Sequence, residues 1–425
     1  MITAKYLKEH IEEFFQSCKK RKIEVDFGSF TQLEEERIRL LKLSENKKAE
    51  INSLSKEVGE SKSKGEEPLD LLRKLQKSSF QVKEYRQKLA EVQEEINHFI
   101  NELPNILDEK VPVGDNKEKN TEVKKVGVLP TFSFKPRSHF EIAGENYLDF
   151  SRAGKMSGSR FVVLRKELAR LERALIEFFL NENRERGYEE IAPPTLVNEK
   201  SIYGTGQLPK FQEEVFHLSG SYENFYLIPT AEVPLTNLYR EEEIPEKLMP
   251  MHFTAITNCY RAEAGSAGKD TKGLMRLHEF KKVELVKITF PEKSEEEHNK
   301  MVLDAENLLE KLEIPYRVIL LCSGDTGFSA SKCYDIEVWV PSENNYREIS
   351  SCSNCRDFQS RRSNIRIRRK NGTLDFAHTL NGSALPLGRT LIALLENHQK
   401  EDGTVVIPKA LKKYFGKDTV RFLNE

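Results

Sequence analysis

The 425-residue chain reads as an α+β protein: an N-terminal antiparallel coiled-coil arm, then a domain built on an antiparallel sheet flanked by helices. Three observations predict it. Two apolar seams at helical spacing, parted by a polar breaker, occupy residues 31–103. A β-prone hairpin runs from Thr254 to Glu284 around a glycine-containing loop. Elsewhere after residue 129 strands and helices interleave with short connections, which favours antiparallel pairing over βαβ repeats.

Residues 1–30 predict a small helical cap leading into a turn at Asp26-Phe27-Gly28. From Thr31, Leu33, Leu40, Ile51, Leu54 and Val58 fall on one helical stripe, interrupted by Arg37, Ser44 and Lys47. Ser61 to Pro68 is the breaker. Leu72, Leu75, Val82, Leu89, Ile96, Ile100 and Leu103 form a cleaner second seam, and Pro104 ends it. Two helices of roughly thirty residues would make an arm reaching ~45 Å. Such an arm serves as a dimerisation device, a spacer, or a lever that touches something large and distant. Lys56, Lys62, Lys64, Arg73, Lys74 and Lys77 near its tip suit phosphate or simple solvation.

Residues 104–128 are polar and mixed and predict a linker, which leaves 129–425 as a second domain. Phe161 to Asn181 predicts an amphipathic helix with Leu164, Leu168, Leu171, Leu175 and Phe178 on one side. Gly187 to Val197 predicts a strand whose Pro193-Pro194 end confines it to an edge or an interface. A short buried run, Phe225 to Glu232, precedes a helix. After the hairpin come a helix (Glu295–Leu312) and strands near Tyr316–Leu321, Tyr334–Val340 and Tyr346–Ser351. Thr379 to Gln399 closes the chain as a strand, a glycine break and a helix.

Composition narrows the function. Lys+Arg 67 against Asp+Glu 68 leaves a formal charge of −1, which does not exclude nucleic acid, because local patches outweigh the sum. Charged residues make up 32%, as a long solvated helical arm requires. Met1 to Gln16 lacks an apolar core and a small-residue cleavage site, so no signal peptide is expected. No run approaches the ~18 apolar residues of a membrane span. Six cysteines in so long a chain do not suggest a disulfide scaffold, and a cytoplasmic location is expected.

Within the hairpin, period-two geometry puts Arg261 and Glu263 on one face, and Arg276, His278 and Phe280 on one face of the returning run. A cation, a carboxylate, an aromatic ring and a flexible basic loop suit a nucleotide: arginine forks onto phosphate and a ring stacks on a base. An exposed hairpin with solvated charges is the plainer alternative. Gly265 to Asp270 lacks the first glycine and the Ser/Thr of a phosphate loop. Cys352-Ser353-Asn354-Cys355 has CxxC spacing but only loosely spaced companions in Cys322 and Cys333, so no structural zinc is expected.

Three stretches together resemble the class II aminoacyl-tRNA synthetases. Gly187…Pro194 resembles motif 1. Tyr260-Arg261-Ala262-Glu263, the loop, and Arg276…Phe280 resemble motif 2. Gly382…Gly388-Arg389 and its apolar helix resemble motif 3. With Thr230-Ala231-Glu232, Glu348-Ile349-Ser350-Ser351, Gly204…Phe211 and the helical arm, the chain is similar over essentially its whole length to the bacterial-type seryl-tRNA synthetase family.

That resemblance implies ATP-dependent attachment of L-serine to tRNA(Ser) through seryl-adenylate, with tRNA(Sec) as a further candidate, by a homodimer. It implies that Arg261 bridges the serine carboxylate and the α-phosphate and that Arg389 holds the far phosphates. Glu263 would meet the adenine amino group and Phe280 stack on the ring, with Ala262, Leu277, Ile349 and Ser350 bordering ATP. Glu348 and Ser351 would ligate Mg²⁺. Thr230, Ala231, Glu232, Glu284, Asn381 and Ser383 would select serine. The loop becomes a flap over ATP. Lys272 stands where many relatives carry arginine, and Glu279, where glutamine is common, would add charge beside the nucleotide face. Arg361, Arg362, Arg366, Arg368 and Arg369 would face the RNA acceptor end, lie on a solvated strand, or meet a second protomer. A ligase charging a carrier protein and a catalytically silent RNA-binding paralogue are the competing readings.

Overall fold

A computed structural model describes residues 3–264 and 273–422. The Lys272 and Gly265–Asp270 expectations, and the flap they belong to, lie outside the described residues. Two compact units emerge. One is formed mostly by residues 23–103 with the N-terminal stretch before Lys20, the other by residues 20–22 and 104 onward.

In the first unit, short helices Ala4–Glu9 and Ile11–Lys20 precede two long ones, α1 (Phe27–Ser63) and α2 (Leu69–Asn101). The turn expected at Asp26-Phe27-Gly28 is instead a helix start. Asp26 is the N-cap, and its Oδ1 accepts from Ser29 N at 3.1 Å, satisfying one of the orphan amides of the first turn. Leu40, Leu54 and Val58 of α1 and Val82, Ile96 and Ile100 of α2 are buried, and Phe30 stacks on Phe99 at 5.4 Å. The apparent interruptions belong to the seam. Ser44 is buried, and Arg37 forks onto buried Glu34 at 2.7 and 2.8 Å. Leu72, expected on the seam, is exposed. The 37 residues of α1 make it about 55 Å long.

The second unit is organised by an eight-stranded sheet: β1 (Thr121–Val126), β2 (Glu189–Glu190), β3 (Met251–Tyr260), β4 (Glu279–Thr289), β5 (Tyr316–Leu320), β6 (Lys332–Val340), β7 (Asn345–Arg356) and β8 (His378–Pro386). Their order in space is β1-β5-β6-β7-β8-β4-β3-β2. All pairs are antiparallel except β2 with β3. The hairpin β3–β4 is in register from Met251 opposite Ile288 to Tyr260 opposite Glu279. The proline-ended strand β2 lies at the edge, where a missing amide costs the ladder nothing.

Residues 104–128, expected as a linker, supply the opposite edge strand β1, and Asn105 Nδ2 donates to Cys355 O at 2.8 Å. Thr-Glu-Val-Lys-Lys-Val carries no buried-face alternation and is mostly exposed. Pairing with β5, rather than side-chain burial, makes it a strand. Helix α3 (Lys166–Glu185) starts later than the apolar stripe suggests, because Val163–Leu164 instead pairs with Leu148–Asp149. Leu168, Leu171, Leu175 and Phe178 are buried as expected. Helices α4 (Ser294–Lys311) and α5 (Leu387–Asn397) cover the sheet. Gly382 on β8 permits this closeness: a Cβ there would lie 2.8 Å from Met301 Sδ on α4. Among the described residues no helix is long and apolar enough to cross a membrane.

Candidate active site

Strands β8 and β4 open onto a cavity of about 340 Å³ walled also by the segments just after β3 and just before β4, by β7 and by the first turn of α5. The β3–β4 ladder loses its regularity beyond Tyr260 and Glu279. Arg261 N still donates to His278 O (2.9 Å), but Ala262 N turns to Glu214 O (2.9 Å) and His278 N to Arg160 O (3.0 Å). Glu263 has φ of 53°. Strict alternation therefore ends. Arg261, Glu263, Arg276, Leu277 and Phe280 all line the cavity. His278, expected beside Arg276 and Phe280, lies against Phe161 and Phe216 instead.

A second irregularity sits on β7. The β6–β7 register slips between Ile336–Ser350 and Glu337–Glu348, leaving Ile349 extra. A bulge re-aims side chains, and Glu348, Ile349 and Ser351 all reach the cavity wall. Ser350 does not: its hydroxyl donates to Ser383 O at 2.7 Å. Ala231 is buried in a separate apolar cluster with Leu235, Ile244 and Phe253, and Ala262 is absent from the cavity wall. These three expected residues do not line the cavity.

Thr230, Glu232, Glu284, Asn381 and Ser383 converge on the cavity. Thr230 Oγ1 donates to Glu284 Oε2 at 3.0 Å, and Lys282 forms a close ion pair with the same oxygen. Asn381 Nδ2 donates to Glu232 Oε1 at 3.1 Å. Burial, then the Glu284 charge, pushes the Glu232 carboxyl up to about 7. Burial also raises Glu284, with Lys282 and the Thr230 hydroxyl pulling against it. Arg261 Nε donates to Pro229 O at 3.4 Å, and its guanidinium carbon lies 5.3 Å from the Phe280 ring centre.

Elsewhere on the wall, Arg276 Nη1 donates to Glu263 Oε2 at 2.7 Å. Arg389, in the first turn of α5, contacts Glu348 Oε1 at 3.2 Å and donates to Glu348 O at 2.8 Å. Gly388 lets this turn approach closely, since a Cβ there would lie 3.1 Å from Leu274 O. Behind Glu348 and Ser351, burial and the Glu348 charge hold Asp335 well above the usual carboxylate range.

Sequence reasoning assigned no role to Lys282, Arg276, Leu274, Met275 or Pro386, all of which line the cavity. Lys282 was legible in principle, two residues from Glu284 on one strand face. Glu279 lines not this cavity but an adjoining one that shares Leu274, Leu277 and Phe280 with it, and it accepts from Asn258 Nδ2 at 2.8 Å and Tyr260 OH at 3.4 Å.

The basic segment has partners within the chain. Arg361 pairs with Asp357 (2.8 Å), Arg368 with Glu243, and Arg369 with Glu292 and Asp375 (2.8 and 2.7 Å). Arg362 donates to Leu208 O at 3.1 Å, and Arg366 lies 4.0 Å over Phe376. All six cysteines are free and buried.

A family model of the seryl-tRNA synthetase N-terminal domain matches residues 1–107, and one of the tRNA synthetase class II core domain (G, H, P, S and T) matches residues 215–398. A serine--tRNA ligase of Desulfitobacterium hafniense is 48% identical over 418 residues, 98% of this chain and 99% of that protein. One of Thermodesulfovibrio yellowstonii is 47% identical over 428 residues, 99% and 100% of the two chains. Among solved structures, seryl-tRNA synthetase from Pyrococcus horikoshii complexed with ATP superposes with a TM-score of 0.89 at 36% identity, covering 100% of both chains. Cytoplasmic serine-tRNA ligase from Naegleria fowleri with AMP gives 0.83 at 28% identity, covering 97% of this chain and 96% of that one.

Proposed function

The chain belongs to the seryl-tRNA synthetases, class II enzymes that ligate serine to tRNA, and on that premise we propose how its cavity performs the reaction. L-serine and ATP give seryl-adenylate and pyrophosphate, and the seryl group then passes to the terminal ribose of tRNA(Ser). A serine carboxylate oxygen attacks the α-phosphorus as the bond to pyrophosphate breaks. The ribose hydroxyl then attacks the acyl carbon and AMP leaves.

Both partners of the first step are anions, so the protein's task is neutralisation and alignment. Arg261, near Phe280 and within the electrostatic reach of Glu232 and Glu284, lies where it can hold the serine carboxylate and the α-phosphate together. Glu232 and Glu284 take the serine ammonium and hydroxyl, with Thr230, Asn381 and Ser383 completing that pocket. Alanine brings the ammonium but no hydroxyl, so the group that accepts from the serine hydroxyl loses that bond, which is a basis for discrimination. Glu263 meets the adenine amino group and Phe280 stacks on the base. Arg389 meets the far phosphates with the amide dipole of α5 behind it.

Glu348 and Ser351 fit Mg²⁺ arriving with ATP: a carboxylate and a hydroxyl on one wall offer hard oxygen donors and leave positions for phosphate and water. When bound, the ion neutralises phosphate charge. We extend the proposal to tRNA(Sec), to tRNA recognition by the helical arm, to a cytoplasmic site of action and to a homodimer.

The convergence of Arg261, Glu232, Glu284, Glu348 and Arg389 on one cavity carries the reading. ATP–pyrophosphate exchange with each of the twenty amino acids tests it. Serine should support exchange. Exchange with threonine or proline and none with serine would overturn it.

A further inference from the structure

We infer that Gln359, on the short helix Phe358–Ser363, is a positioning residue that orients Glu232 for the substrate ammonium. It does not line the cavity and belongs to none of the three motifs. Its side chain is fully buried, and every polar atom on it is used. The Thr379 hydroxyl donates to its Oε1 at 2.7 Å. The carbonyl of Thr205 can only accept, so the end of the amide facing it is the Nε2 group and the end facing Thr379 is the oxygen. The two Nε2 hydrogens go to Thr205 O at 3.2 Å and Glu232 Oε1 at 2.6 Å.

The consequence falls on one oxygen. Gln359 and Asn381 both donate to Glu232 Oε1, which leaves Oε2 as the oxygen for the substrate. Two neutral donors on a carboxylate favour its ionised form. They oppose the burial and the Glu284 charge that raise Glu232. The other charged or titratable groups facing Glu232 are Lys282 and Arg261, which favour its ionised form, and Cys355, a neutral thiol raised by burial. Gln359 adds a donor that no neighbouring charge replaces.

The same contact explains a stretch that the reaction itself leaves idle. Thr205 ends the helix Glu199–Thr205, which Gly206 terminates at φ of 91°. A Cβ on Gly206 would lie 3.2 Å from the Phe358 ring. The glycine lets the two segments close on each other, bringing Thr205 O within reach of Gln359. The Gly204-Thr205-Gly206-Gln207 stretch thus reaches the serine pocket through Gln359.

The inference rests on the assignment of Glu232 to the serine ammonium. The test measures serine-dependent pyrophosphate exchange between pH 6 and 9 in the wild type, Gln359→Met and Thr379→Val. Gln359→Met keeps the volume and removes both donors. It should raise KM for serine about ten-fold or more, as expected for a lost bond to a charged group, and leave KM for ATP unchanged. The acid limb of kcat/KM for serine should move to higher pH. Thr379→Val, which removes only the hydroxyl that holds the amide oxygen, should move both in the same direction by less, and it decides the matter if Gln359→Met does not fold. A purely structural role would lower Tm and kcat with KM and the acid limb in place, and that outcome overturns the proposal. Absence of serine-dependent exchange in the wild type would instead overturn the assignment of the pocket.

Discussion

Arg389 Nη1 lies 3.2 Å from Glu348 Oε1, so two residues proposed to engage the triphosphate are paired with each other. The pair compensates a cation and an anion; on the proposed reading a phosphate would engage Arg389 and Glu348 would be free to hold Mg²⁺. Glu348→Gln should therefore lower exchange about a hundred-fold, the scale of losing one preorganised electrostatic contact. It should also move half-saturation to higher Mg²⁺. Exchange titrated against MgCl₂ checks this, and an unchanged midpoint would remove Glu348 from the metal site.

Arg276 holds Glu263 in the same manner, at 2.7 Å. Glu263→Gln keeps the shape and removes the charge that pairs with Arg276 and is proposed to accept from the adenine amino group. KM for ATP should rise about ten-fold, and the preference for ATP over ITP, which lacks that amino group, should shrink. Steady-state exchange with both nucleotides measures it. A preserved ATP/ITP ratio would place the base elsewhere.

Arg261→Ala should reduce adenylate formation by about a thousand-fold or more while tRNA binding stays near wild type. A filter-binding titration beside the exchange assay separates the two. Comparable loss of both in a folded variant would count against the role given to Arg261.

On the proposed assignment, Glu232 should make serine binding pH-dependent. With its carboxyl up at about 7 through burial and Glu284, a proton must leave before the ammonium can pair. Serine affinity should be greatest above pH 7 and fall up to ten-fold per unit below it. For the serine-free fold the sign is opposite. A raised carboxyl contributes its stability fully below the unfolded value of about 4.5 and loses it as pH rises through about 7. The gain in Tm on adding serine should thus be larger at pH 8 than at pH 6. Equal gains would falsify the linkage.

The helical arm should matter to only half of the reaction. Replacing residues 31–103 with a short flexible link should spare pyrophosphate exchange and greatly reduce tRNA charging, because an α1 about 55 Å long can follow an RNA helix by its shape. Normal charging by the shortened protein would remove the arm from tRNA recognition.

Local pattern made the arm, the hairpin, the edge position of the proline-ended strand and α4 legible. Each depends on a period or a breaker contained in its own residues. The arm's polar seam positions were not legible. Ser44 looked like an interruption until its place at the helix contact was known, and Arg37 looked like one until Glu34 beside it was seen to be buried. The β1 edge strand escaped notice because its partner β5 lies about two hundred residues away along the chain.

By itself the sequence determined the chemistry at the site: which arginines, carboxylates and hydroxyls are present, and in what order the chain supplies them. Tertiary structure alone decided where they point. The bulge at Ile349 brings Glu348 and Ser351 onto one wall and turns Ser350 away. The end of the β3–β4 ladder turns His278 aside. Gln359 reaches Glu232 from 127 residues away. A period-two rule describes a regular ladder and holds for Phe280, Lys282 and Glu284 on β4, whereas Arg261, Glu263, Glu348 and Ser351 lie at or beside places where ladders break. Their directions are set by backbone partners distant in the chain, and no local pattern carries that information.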